Sequence, residues 1–188
     1  TDESRFLLRR ADGRARVYRR RHERYARNCI QEVDRFGGGS VMVWAGITHN
    51  FRTALVHVPG TMNAVQYRDN ILHPHVLPFL NRHGGIFQQD NARPHVARVC
   101  QDFLNVNNVN VLPWPARSPD LSPIEHIWDE LDRRVRQRRP QPQTLQGLLQ
   151  ALQEEWQNIP RERIRNLIAS MARRCQAVID ARGGHTRY

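Results

Sequence analysis

Two acids in this chain stand where phosphoryl-transfer chemistry would need them. Asp90 closes the apolar-polar run IFQQD, and Glu125 stands in the first turn of SPIEHIWDEL. Thirty-four residues lie between them, an interval that holds an amphipathic segment and then the proline-rich VLPWPARSPDLSP. A third acid, Asp2, directly precedes the first apolar stretch. Phosphodiester cleavage by two metal ions needs carboxylates that converge on ions about 3.5–4 Å apart. Magnesium prefers oxygen ligands and keeps several waters, so two or three acids suffice. A working set takes one acid from a strand end, one from a neighbouring strand and one from a nearby helix. Asp90, Asp2 and Glu125 can fill those places in that order.

Each acid also has a plainer reading. Ser122-Pro123-Ile124-Glu125 is a capping-box pattern with Pro123 at the first helical position, so Glu125 can serve as a cap. Asp90 in QQDNAR suits a turn after a strand. Asp2 alone reads as a solvated terminal acid, and Asp120 competes with Glu125 from the preceding loop.

The elements that must position these acids alternate between strand and helix. Residues 2–8 read as strand. Residues 9–36 are Arg-dense, close in Gly37-Gly38-Gly39, and mark 9–39 as a long insertion. Residues 41–47 and 53–58 read as strands joined by a hairpin turn at His49, Asn50 and Phe51 with Arg52. Residues 63–80 read as a helix that Pro74 and Pro78 kink or split. Residues 86–89 are a short strand ending at Asp90. Residues 94–105 are a helix with Val96, Val99, Cys100 and Phe103 on one face. Residues 109–112 are a strand. Residues 122–138 form the strongest helix, striped by Ile124, Ile127, Trp128, Leu131 and Val135. Two further amphipathic helices are expected at 144–159 and 161–181, so 140–188 is a helical C-terminal part. Strands separated by helices imply right-handed crossovers and a partly parallel sheet. Functional residues of such sheets collect at the carboxyl ends of strands, where Asp90 falls.

Composition narrows the partner. The net charge over 188 residues is +11, and every one of the basic residues counted as Lys or Arg is Arg. Such a surface suits a polyanion, and guanidinium forks bidentately onto phosphate. Cys29, Cys100 and Cys175 lie far apart, in no metal or redox spacing. The longest apolar run, VMVWAGI, is too short to span a bilayer. No membrane partner is expected.

TDESRF, GGGSVMVWAGI, GTMNAVQYRD, FQQDNARPH, PWPARSPDLSPIEHIWDELDRRVR and QAVIDARGGHTRY together resemble the catalytic domain of the Tc/mariner superfamily of DDE transposases, in its Tc-type branch. The resemblance spans nearly the whole chain. It implies an α/β, RNase H-like mixed sheet flanked by helices, with a single catalytic domain over 1–188. It places the family's clamp loop on the Arg-rich insertion and its metal-binding Asp, Asp and Glu on Asp2, Asp90 and Glu125. It further implies two Mg2+ ions, with Mn2+ able to substitute, a double-stranded DNA substrate comprising transposon ends and target, action as a homodimer on DNA, and work in the nucleus. The expected reaction is hydrolysis at the transposon end followed by attack of the freed 3′-OH on target DNA at a TA step. Trp44, Asn91, His95 and His126 are placed near the site. DNA contacts are assigned to Arg19, Arg20, Arg21, Arg93, His95, Arg117, His126, Arg133 and Arg134. The family's N-terminal helix-turn-helix units have no counterpart in these residues. Only Thr1 precedes Asp2, so the first strand is expected to be cut short and Asp2 frayed, whereas GGHTRY reads as a natural C-terminus. The alternatives are a domesticated or truncated, inactive DNA-binding relic, and an RNase H-like nuclease without strand transfer. A plain RNA-binding protein would need no carboxylates in register, and the sequence has no stacking-aromatic motif of the usual RNA modules.

Overall fold

The computed structural model describes residues 1–9, 38–115, 118 and 121–182. The Arg-rich insertion, with Arg19, Arg20 and Arg21, lies outside the described residues, as do Arg117, Asp120 and the last six positions.

Strand β1 (Asp2–Leu7) pairs antiparallel with β2 (Ser40–Ala45), which pairs antiparallel with β3 (Val56–Val58). The hairpin beyond β2 closes through a bridge between Ile47 and Arg52, with Phe51 carbonyl accepting from Thr48 N–H at 2.8 Å. Asp2 is not frayed. It sits opposite Ala45 as the first pair of the β1–β2 ladder, and the strand runs on from it. Thr1 extends the hold, its nitrogen and hydroxyl both donating to the Gln88 carbonyl at 2.9 and 3.0 Å. The two short strands expected at 86–89 and 109–112 meet as a single parallel bridge, Phe87 with Val111. The Phe87 N–H donates to Asn110 and its carbonyl accepts from Leu112, each at 2.8 Å. The sheet itself is antiparallel throughout, so the expected parallel portion reduces to this one isolated bridge outside it.

Helix α1 (Ala64–Tyr67) is opened by a full capping box, Asn63 accepting from Gln66 N–H while the Gln66 side chain accepts from Asn63 N–H. The helical run beyond it continues without a break past Pro74 and Pro78, but not as one regular helix. The chain widens into a π-helical stretch (Arg68–Val76), in which Leu77 N–H reaches the Leu72 carbonyl five residues back, and re-tightens as α2 (Leu77–His83). The wider turn accommodates a ring that has no N–H to give and would collide with the carbonyl four residues earlier. Helix α3 (Arg98–Val106) begins four residues later than the apolar spacing suggests, because Ala92 carbonyl draws in the N–H groups of His95 and Val96 as a turn. Val96 is consequently exposed, while Cys100 and Leu104 are buried.

Helix α4 (Pro123–Gln137) buries the predicted stripe, and α5 (Leu145–Asn158) starts on its Thr144 cap. The expected last helix breaks at Ser170 into α6 (Arg161–Ala169) and α7 (Met171–Asp180), with Ser170 hydroxyl donating to Leu167 carbonyl at 2.6 Å. Phe6, Val41, Val43 and Ala45 from one sheet face pack with α4, α5 and α6. Trp44 and Val58 from the other face pack with α1, the π-helical stretch and α3. Trp128 meets Phe6 edge-on at 6.1 Å and stacks on Trp156 at 5.5 Å, pairs worth about 0.5–1.5 kcal/mol each beyond the area they bury.

Glu130 ties α4 to α6. It accepts from Arg163 at 2.8 Å and from Arg134 at 2.9 Å, with its side chain 12% exposed. Burial alone would raise its carboxyl, but these two guanidinium groups outweigh burial and hold it below the ordinary range. The resulting stabilisation is present above about pH 4.5 and is lost as pH falls through the lowered folded value. We predict that Glu130→Gln lowers stability by about 1–2 kcal/mol near pH 7 in a urea titration, and that the gap to the parent closes below pH 4.

Candidate active site

Strand alternation decides where β1 sends its acids. Asp2 stands across from Ala45 and shares its face, beside α4, while Glu3 stands across from Trp44 and faces the opposite core. Helix α4 is set along β1 by three ties. Glu125 lines the same cleft as Asp2 at one end. Trp128 meets Phe6. Arg136 donates to the carbonyls of Leu7 and Leu8 at the other end. The lengths agree: Glu125 to Arg136 spans about 16 Å of helix, and Asp2 to Leu7 about 17 Å of strand.

Glu125 is not a cap. Ser122 opens α4, yet its side chain makes no capping hydrogen bond, and Glu125 turns to Asp2. Asp90 is both a turn residue and a site residue. Phe87, 3% exposed, and Gln89, which accepts from Tyr67 hydroxyl at 2.8 Å, anchor the chain just before it. Asp90 Oδ1 then accepts from Ala92 N–H at 2.9 Å and from His95 Nδ1 at 2.6 Å. Asn91 carries the loop across to the proline-rich segment by donating to Trp114 carbonyl at 2.9 Å.

Asp2, Asp90 and Glu125 thereby line one cleft of about 390 Å³, walled by Asn91, Trp114 and Ser122. A larger cleft of about 530 Å³ between the hairpin and α5–α6 has no carboxylate in its lining. Burial raises the Asp2 carboxyl well above its ordinary range, and the neighbouring Glu125 and Glu3 raise it further. Burial raises Glu125 as well. Asp90 goes the other way, held low by the hydrogen bond from His95. Among the described residues, no three His, Cys, Asp or Glu side chains already surround a single point as one ion's ligand set. The acids sit on separate walls of the cleft. Their chemistry nonetheless fits magnesium or manganese: the donors are carboxylate oxygens, and the like-charge crowding that raises Asp2 is what a divalent cation would relieve.

The DNA-contact assignments divide. His95 is 2% exposed and buried against Tyr67, so it does not reach DNA. Arg134 is committed to Glu130. Trp44 is fully buried in the core beside His75, away from the cleft. Arg93, on the Asp90 turn, and Arg133, on α4, are exposed, while His126 is half-buried next to Glu125. Sequence reasoning missed the part played by Glu3. It lies 92 positions from His95, and only the strand's period of two hinted that it points away from Asp2.

Comparison with known proteins agrees with this geometry. Residues 1–146 match the family model for the DDE superfamily endonuclease. The chain is 38% identical to the Tc1 transposase of Caenorhabditis elegans over 191 aligned positions, covering 100% of this chain and 69% of that protein. It is 36% identical to the Tc3 transposase of the same organism over 156 positions, covering 81% and 47%. Among solved structures, the catalytic domain of Mos1 transposase with raltegravir and Mg superposes at a TM-score of 0.69 and 21% identity, over 79% of this chain and 78% of that one. The Mos1 strand transfer complex superposes at 0.74 and 22%, over 98% and 55%. The fold is thus the RNase H-like mixed α/β fold of those catalytic domains, and the chain belongs to the DDE superfamily endonucleases, within the Tc1/mariner DNA transposases.

Proposed function

We propose that Asp2, Asp90 and Glu125 hold two divalent ions, Mg2+ or Mn2+, and that the cleft first hydrolyses a phosphodiester at a transposon end and then transfers the freed 3′-OH into target DNA at a TA step. One observation carries this reading: β1, the segment after Phe87, and α4 deliver three carboxylates to one cleft. When bound, the ions would lower the barrier to forming the attacking oxygen and would stabilise charge on the phosphorus oxygens and the leaving oxygen. Asp2 and Asp90 would hold the pair from the two sheet segments, and Glu125 would complete the second position from α4. In hydrolysis, water adds to phosphorus and the 3′ oxygen leaves with a proton. In transfer, that 3′ hydroxyl displaces another 3′ oxygen from phosphorus, one phosphodiester replacing another, so no energy-rich co-substrate is required.

Exposed Arg93 and Arg133, together with the Arg-rich segment 9–39, are the groups we assign to the DNA backbone, and that segment to contact with a second subunit in a homodimer on DNA. A chromosomal substrate assigns the work to the nucleus. The tie of Asp90 and Glu125 to one cleft favours the enzyme over a DNA-binding relic.

Two results test the reading. Asp90→Asn and Glu125→Gln should each reduce Mn2+-dependent nicking of supercoiled plasmid by about 10²–10³-fold or more, with double-stranded DNA binding retained. Nicking that survives either substitution would contradict the assignment. Binding of a short duplex should also weaken steeply between 50 and 200 mM salt, and neutralising Arg93 or Arg133 should each reduce the log–log slope by about 1.

A further inference from the structure

Glu3 and His95 take no direct part in the phosphoryl chemistry, yet they are built around it. His95 is 2% exposed and lies between two carboxylates. Its Nδ1 is 2.6 Å from Asp90 Oδ1, and its Nε2 is 3.2 Å from Glu3 Oε1 and 3.1 Å from Glu3 Oε2. With an acid on each side, both ring nitrogens donate. Tyr67 covers one face of the ring, its centroid 4.2 Å away, and Tyr67 is itself pinned by its hydroxyl to Gln89, the residue before Asp90. Asp90 by contrast has a side chain 50% exposed. A carboxylate so exposed would sample several rotamers unless something fixed it.

We propose that Glu3 and His95 are a positioning pair for Asp90: Glu3 anchors the ring through Nε2–H, and the ring holds Oδ1 through Nδ1–H, leaving Oδ2 to face the cleft. This rests on the reading of Asp90 as an ion ligand. A donor behind a ligating carboxylate orients it and reduces the freedom lost when an ion binds, and outer partners of this kind commonly change metal affinity 10–100-fold. Strand β1 then serves the site twice. Asp2 faces the cleft from one side of the strand, and Glu3, one residue on, steadies the opposing acid from the other.

The test is Mn2+ affinity of the chain, measured by isothermal titration with the melting temperature of each metal-free variant alongside. His95→Phe keeps a ring against Tyr67 but removes both donors, and should weaken Mn2+ binding about 10–100-fold. Glu3→Ala should also weaken it, and Glu3→Gln, whose amide oxygen still accepts Nε2–H, should recover most of that loss. In plasmid nicking, His95→Phe should raise the Mn2+ concentration needed for half-maximal rate more than it lowers the rate at saturating Mn2+. A purely structural role would lower the melting temperature and leave the affinity of the folded protein unchanged, and that result overturns the proposal. Should His95→Phe fail to fold, Glu3→Ala decides: a folded variant with parental Mn2+ affinity overturns it equally. Asp90→Asn separates the two levels. If it abolishes Mn2+ binding while His95→Phe and Glu3→Ala do not weaken it, the positioning pair alone fails; if it leaves Mn2+ affinity unchanged, the ligand assignment fails and the pair with it.

Discussion

Carboxylates brought into one cleft repel each other, and the rest of the fold has to hold them there regardless. Two like charges about 4 Å apart at an effective dielectric near 20 repel by about 4 kcal/mol. That is a large part of the roughly 5–15 kcal/mol by which a domain is stable. The structure answers locally, with a histidine set against Asp90. It also answers through the frame, since Asp2 and Glu125 are carried on packed elements and the Asp90 turn is bonded to its neighbours.

That frame is the fit of α4 along β1. Helix and strand are tied at both ends and packed in the middle, so the position of Glu125 relative to Asp2 follows from the whole interface. The α5–α6 layer backs the same helix through Trp156 and the Glu130 ion pairs, and Trp156 in turn donates to the Thr53 carbonyl beside the β2–β3 hairpin. The opposite face of the sheet performs the matching task for Asp90, with Tyr67, Gln89 and His95 packed beneath the turn that carries it. A cleft that opens between two layers can thus be rigid on each wall.

Much of this was legible in the residues. The stripe of Ile124, Ile127, Trp128, Leu131 and Val135 marked α4, and its period of 3.6 left little room for another reading. The hairpin around Asn50 was visible too, whereas the strand expected at 86–89 contributes only the single bridge at Phe87. What failed did so for tertiary reasons. The SPIE tetrad on its own read more readily as a cap, and only the assembled fold brings Glu125 into one cleft with Asp2 and Asp90. Helix α3 starts late because the Ala92 turn claims the N–H groups that would have opened it. Pro74 sits inside a continuous helix because the backbone widened around it, which no local pattern announces. The pairing of Glu3 with His95 joins positions far apart in the chain, and sequence spacing carries no trace of it.

Whether Asp2, Asp90 and Glu125 jointly hold divalent ions can be seen by anomalous diffraction from crystals of this chain soaked in MnCl2. Two manganese peaks are expected in the cleft, about 3.5–4 Å apart and touched by Asp2, Asp90 and Glu125. Manganese found only elsewhere on the surface, with none beside Asp2, Asp90 or Glu125 under saturating Mn2+, would contradict the assignment.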